Sequence, residues 1–98
     1  MKKPKYQPFL IKTDGTREEV VPKNGKYFEL KEMQELVGGY IQFLQLNDDN
    51  ILVINEEGKL EGLPFNKDAT LTAMLDEAIG ILDYIVGDAL LCHKSLIR

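Results

Sequence analysis

Few residues in this chain are of a type that could do chemistry. Its single cysteine and single histidine are neighbours, Cys92-His93. A thiol and an imidazole that converge make a nucleophile–base pair or two metal ligands. Neighbours on a β-strand point to opposite faces, so in a strand this pair cannot converge within one chain. Cys92 is expected as a small buried residue and His93 as a half-exposed ring. The acidic pairs Glu18-Glu19, Asp48-Asp49, Glu56-Glu57 and Asp76-Glu77 could hold magnesium or share a proton. Adjacent carboxylates on a strand also diverge. The Asp48-Asp49 stretch lacks the alternating oxygen ligands, central glycine and distal glutamate of a calcium loop. The chain contains no phosphate-cradling G-x-x-x-x-G-K-[ST], no zinc-binding H-E-x-x-H and no nucleophile elbow G-x-S-x-G. Nothing here proposes an enzyme, and no catalytic residue, metal ligand or cofactor is expected.

The most distinctive polar stretch is "NEEGKLEGLP", Asn55 to Pro64, directly after the apolar run Ile51–Ile54. Its simplest reading is a charged turn. Gly58 would supply a positive φ, Lys59 would be exposed, Leu60 and Leu63 would return to the core, and Pro64 would stop further pairing.

The elements around this stretch can be placed from periodicity and turn chemistry. "PFLIKTDGTREEVVP" reads as a hairpin with strands Phe9–Thr13 and Arg17–Val21, joined by Asp14-Gly15 and ended by Pro22. "ELKEMQELVGG" reads as a short helix with Leu30, Met33, Leu36 and Val37 on one stripe. Gly38 or Gly39 is then in the left-handed conformation that ends a helix, or the second glycine allows a close approach. "YIQFLQL" and "NILVIN" read as strands joined through Asn47–Asn50, where Asn and Asp tolerate left-handed turns. The all-apolar Ile51–Ile54 run suits a central strand covered on both faces, or at least near the core. "KDATLTAMLDEAIGILDY" has helical spacing at Leu71, Met74, Leu75, Ala78, Ile79 and Leu82, with Asp68 or Thr70 as the cap and Gly80 as a weak point. "DALLCHK" reads as the last strand. The sum is an α+β fold: a small, mainly antiparallel sheet of about five strands with two helices packed on one side of it.

Residues 1–98 suffice for a single domain, with 1–6 as a flexible basic tail. The net charge of −4 disfavours nonspecific nucleic-acid binding, which needs a basic face. One cysteine makes no internal disulfide, which favours a reducing cytoplasm. Lys2, Lys3 and Lys5 precede no long apolar segment, so neither a signal peptide nor a membrane span is expected. The apolar richness of the Leu71–Leu82 segment favours a homodimer, through that helix or through an exposed strand edge.

Three segments, "LKEMQELVGGYIQ", "LVINEEGKLEGLPFNKDAT" and "IVGDALL", occur in an order and spacing that resembles the family known as domain of unknown function 3846. The resemblance runs from about Leu30 to Leu91, and the leading hairpin resembles the family's usual start. It implies small proteins of phages, prophages and plasmids and of the bacteria that carry them. It implies no catalytic residue. It does add weight to Asn55, Glu56, Glu57, Gly58, Leu63, Pro64 and Asn66, with Lys59 among them, as a binding loop, because a polar signature on a loop hints at recognition.

The leading expectation is therefore a non-enzymatic accessory protein of a mobile element, cytoplasmic, acting by binding a host protein, with counter-defence as one such role. Its acidic balance favours a basic partner surface. A second reading is an oligomeric sponge for a nucleotide-like small molecule, with Lys59, Lys67 and Arg17 as the anion-facing charges. A third is a small hydrolase using Glu56 or Glu57 with a divalent metal.

Overall fold

The computed structural model describes residues 6–98. Five strands form one sheet: β1 (Phe9–Ile11), β2 (Arg17–Glu19), β3 (Ile41–Gln45), β4 (Asn50–Asn55) and β5 (Ala89–His93). Their order is β2-β1-β5-β4-β3, and every neighbouring pair is antiparallel. Helix α1 (Leu30–Val37) lies between β2 and β3 in the chain, and α2 (Lys67–Leu75) between β4 and β5. This is the expected α+β architecture. The expected basic tail lies almost wholly outside the described residues; Tyr6, its last member, stacks on the His93 ring at 3.8 Å.

The turns follow local chemistry. Between β3 and β4, Asp48 and Asp49 both have positive φ, 58° and 61°, and Asn50 N–H closes on the Asn47 carbonyl. That is the backbone of a two-residue hairpin turn that matches strand twist. The first hairpin has a longer loop than Asp14-Gly15 alone. Lys12 and Thr16 close it, and Asp14 Oδ1 accepts from the Thr16 N–H and hydroxyl. β1 consequently ends at Ile11 rather than Thr13, while β2 starts at Arg17 as expected and stops at Glu19, short of Val21.

The core has two sides, which corrects the expectation of both helices on one face. Leu52 faces Leu91 and Val53 faces Leu90 across β4 and β5, and residues directly opposite share a face. Leu52, Ile11 and Ala89 pack with Ala69 and Ala73 of α2. Val53, Leu90 and Cys92 pack with Met33 and Val37 of α1 and with Phe28. The sheet is thus sandwiched, and the apolar β4 run is explained by cover on both faces.

Helix α2 departs most from its predicted pattern. It ends at Leu75, where the spacing carries a stripe on to Leu82. Glu77 takes a left-handed φ of 56°, its N–H bonds to Met74 O, and Ala78 N–H bonds back to Ala73 O. This is a Schellman end with glutamate where glycine is usual. The inward face is Ala69, Thr70 and Ala73, whereas Leu75 is 81% and Leu82 93% exposed. Small residues let the helix sit close to the sheet, and the leucines face out. Two stability measurements separate the two arrangements. Leu52→Ala should lower the unfolding free energy by about 2–5 kcal/mol in a urea melt. Leu75→Ala should change it by less than about 0.5 kcal/mol, as a surface site does.

Candidate functional site

The stretch after β4 winds through consecutive tight turns: Glu61 N–H bonds to Glu57 O, Gly62 N–H to Lys59 O and Leu63 N–H to Gly58 O. Two buried asparagines anchor its ends. Asn55 closes β4, and its Nδ2 donates to Val37 O at 3.3 Å and to Glu61 Oε1 at 3.0 Å, while Oδ1 accepts from Glu57 N–H at 2.8 Å. Asn66 is fully buried and caps α2 through Oδ1, which accepts from Ala69 N–H. Its Nδ2 donates to Ile11 O and to Gly87 O, both at 2.9 Å. Thr70 completes this hub by accepting the Ile85 N–H at 2.9 Å.

The remaining loop residues divide between frame and surface. Gly58 does not have the positive φ expected of it. A Cβ there would stand 2.8 Å from Val86 Cγ2, so any side chain at this position would force Val86 or the loop to shift. Leu63 packs against Gly87 and is partly buried. Leu60 does not return to the core: it is 86% exposed. Glu56, Glu57, Lys59 and Pro64 are exposed. Asn55, Gly58, Leu63 and Asn66 thus hold the loop, and Glu56, Glu57, Lys59 and Pro64 with Leu60 form what it presents.

Beside the loop lies a cleft of about 120 Å³ lined in part by Gln42, Glu56, Lys59, Asp83 and Tyr84. Lys59 Nζ is paired with Asp83 Oδ1 and stands 4.3 Å from the Tyr84 ring centroid. The bond from Lys59 and the backbone N–H of Tyr84 hold the Asp83 carboxyl below the ordinary carboxylate range. This cleft is well short of the roughly 300–1,000 Å³ that encloses a drug-sized ligand. Arg17 is also engaged: it makes a bidentate pair with Asp68 at 2.7 and 2.8 Å. Two of the three cations considered for anion capture are therefore neutralised inside the fold. Among the described residues, no three His, Cys, Asp or Glu side chains gather into a group that could hold a metal ion.

Cys92 and His93 lie on opposite faces of β5, as the strand period requires. Burial pushes the Cys92 thiol up to about 12. His93 Nδ1 accepts from Ser95 N–H at 3.1 Å, and the ring stacks on Tyr6.

What the periodicity concealed is a set of exposed apolar side chains. Leu71, Leu75, Ile81 and Leu82 are exposed on and after α2, and Phe65 and Tyr84 lie tilted together at 6.3 Å nearby in the chain. Gly80 signals a weak point in the helical pattern, but the helix stops earlier, at Leu75.

Two measurements follow. Asn66→Ala removes the buried bonds to Ile11 O and Gly87 O and the cap on Ala69 N–H, and should cost on the order of 2–4 kcal/mol in a urea melt. Glu56→Ala and Glu57→Ala should each stay within about 0.5 kcal/mol. The Cys92 thiol should resist alkylation by iodoacetamide at pH 8 in the native chain and react once urea unfolds it. Since its pKa is raised by folding, its contribution to stability is complete below the ordinary thiol value of 9.0 and is lost as the pH rises towards about 12.

No match is found among curated proteins or among solved structures. With a match running from residue 6 to residue 95, the chain belongs to the family described as Domain of unknown function (DUF3846).

Proposed function

We propose that this chain is a non-enzymatic accessory protein of a phage or another mobile element, working in the host cytoplasm by binding a host protein. The observation that supports this reading is the set of large aliphatic side chains left without cover: Leu60, Leu75, Ile81 and Leu82 are each more than four-fifths exposed. Isolated apolar residues on a surface need no explanation, but several on neighbouring segments of a small domain do. Carboxylates flank them: Asp76 and Glu77 follow Leu75, Asp83 follows Leu82, and Glu61 follows Leu60. Exposed aliphatic side chains with carboxylates beside them in the chain fit a protein surface that offers basic residues around an apolar anchor, and a net charge of −4 steers the same way. No helix among the described residues is long and apolar enough to cross a membrane. The Asn55–Asn66 loop contributes Leu60 and the Glu56-Glu57 pair to this reading.

The test is capture from host lysate with tagged wild type and two sets of variants. Leu75→Ser with Leu82→Ser should keep the wild-type melt within about 1 kcal/mol and lose the captured protein. Glu56→Ala with Glu57→Ala should weaken capture most at low salt, as rim charges do. Full capture by both variants would remove these surfaces as the site of action.

A further inference from the structure

The two edges of the sheet are built differently. Edge strand β2 is three residues long, Arg17-Glu18-Glu19, each exposed, and Pro22 follows shortly after. Charges, shortness and proline are the devices that keep an edge from pairing with another chain. The opposite edge, β3, has none of them. From Tyr40 to Leu46 the sequence is Tyr-Ile-Gln-Phe-Leu-Gln-Leu, without a charge, proline or glycine.

The hydrogen-bond register shows which groups this edge offers. Glu56 N–H bonds to Tyr40 O, and Leu46 N–H bonds to Asn50 O. Ile41 faces Asn55 and Gln45 faces Ile51 in the same ladder. In antiparallel pairing the bonded residues alternate, so Tyr40, Gln42, Leu44 and Leu46 turn their backbone groups towards β4. Ile41, Phe43 and Gln45 turn theirs outward from the sheet.

We infer that the β3 edge is a self-association surface, on which a second copy of this chain adds its own β3 antiparallel across a two-fold axis at Phe43. That register places Phe43 against Phe43 of the second copy, Ile41 against Gln45 and Gln42 against Leu44. All three outward residues of each copy then exchange N–H and C=O groups over the full strand. No like charges oppose one another, because the strand has none. Phe43 is 47% exposed and lies on the α1 face, where its ring meets its mate at the centre. A second copy is favoured over a foreign strand by this self-complementarity. The guarded β2 edge then ends the assembly at two copies, because head-to-tail growth needs two open edges. This interface is separate from the exposed apolar side chains at α2 and does not rest on the host-protein reading.

Sedimentation equilibrium of the full chain from micromolar to millimolar concentration tests it. The wild type should approach twice the monomer mass. Phe43→Lys sets two ammonium groups face to face at the axis, and should return the mass to that of the monomer with an unchanged far-ultraviolet spectrum. Leu75→Lys, on α2, should leave the dimer in place. Hydrogen exchange of the wild type gives an independent reading that needs no variant. The amides of Ile41, Phe43 and Gln45 should slow as protein concentration rises. A monomer throughout the range, a dimer that survives Phe43→Lys, a dimer lost in Leu75→Lys alone, or concentration-independent exchange at those three amides would each overturn the inference.

Discussion

The Asn66 carboxamide is the interaction on which the arrangement of this domain depends. It is fully buried, and every bond it makes reaches a different part of the chain: β1 through Ile11 O, the entry to β5 through Gly87 O, and the first turn of α2 through Ala69 N–H. A buried polar group without partners costs more than a satisfied one contributes, so the site is stable only when all these segments are in place together. It fixes where α2 starts. It also fixes how the long connection from β4 returns to the sheet, since Asn66 N–H bonds to Ile85 O and Gly87 N–H to Pro64 O. Asn55 does the same work at the other end, joining the close of β4 to the end of α1.

These anchors explain why glycines stand where they do. Gly38 takes a left-handed φ of 83° to end α1, and Gly39 follows because a Cβ there would meet Asn55 Nδ2 at 2.9 Å. The Gly38-Gly39 pair and the Asn55-to-Gly58 turn are therefore one device seen from two sides. The segments that carry the family resemblance are, in this fold, largely the parts that hold one another. A polar loop signature was open to two meanings, recognition or framework. Asn55 and Asn66 are buried in the framework, and Glu56, Glu57, Lys59, Leu60 and Pro64 face solvent.

The legible parts of the fold were those set by short-range chemistry. β4 was evident from four consecutive apolar residues, the β3–β4 turn from Asp48-Asp49, the end of α1 from its paired glycines, and the opposed faces of Cys92 and His93 from the strand period. The Leu71–Leu82 segment misled because helical spacing states that apolar residues share a stripe, not which stripe faces the sheet. Two alanines and a threonine outcompeted the leucines, since a helix resting on a sheet through small residues approaches it more closely. The early stop at Leu75 depends on Glu77 in a left-handed conformation that glutamate rarely signals. The all-apolar β4 run already called for cover on both faces, but nothing in the spacing of either helix says which face it covers, so the expectation of both helices on one side conflicted with it.

The placement of the ion pairs bears on where function can reside. Arg17 ties the β1–β2 hairpin to α2 through Asp68, and Lys59 ties the loop to the segment before β5 through Asp83. Arg17, through its hydrogen bond first, holds the Asp68 carboxyl below its ordinary value of 3.8. A carboxylate depressed in this way stabilises the fold above that value, and the contribution fades as acid protonates it. Both pairs are partly exposed, so screening keeps each contribution modest. Their main effect is geometric: they occupy two of the three cations, Arg17 and Lys59, considered for an anionic ligand. With those charges paired and the cysteine buried, the surfaces that differ from ordinary solvated protein are aliphatic side chains and an uncharged strand edge. Both are suited to meeting another polypeptide, the first by burial of apolar area and the second by completing backbone hydrogen bonds.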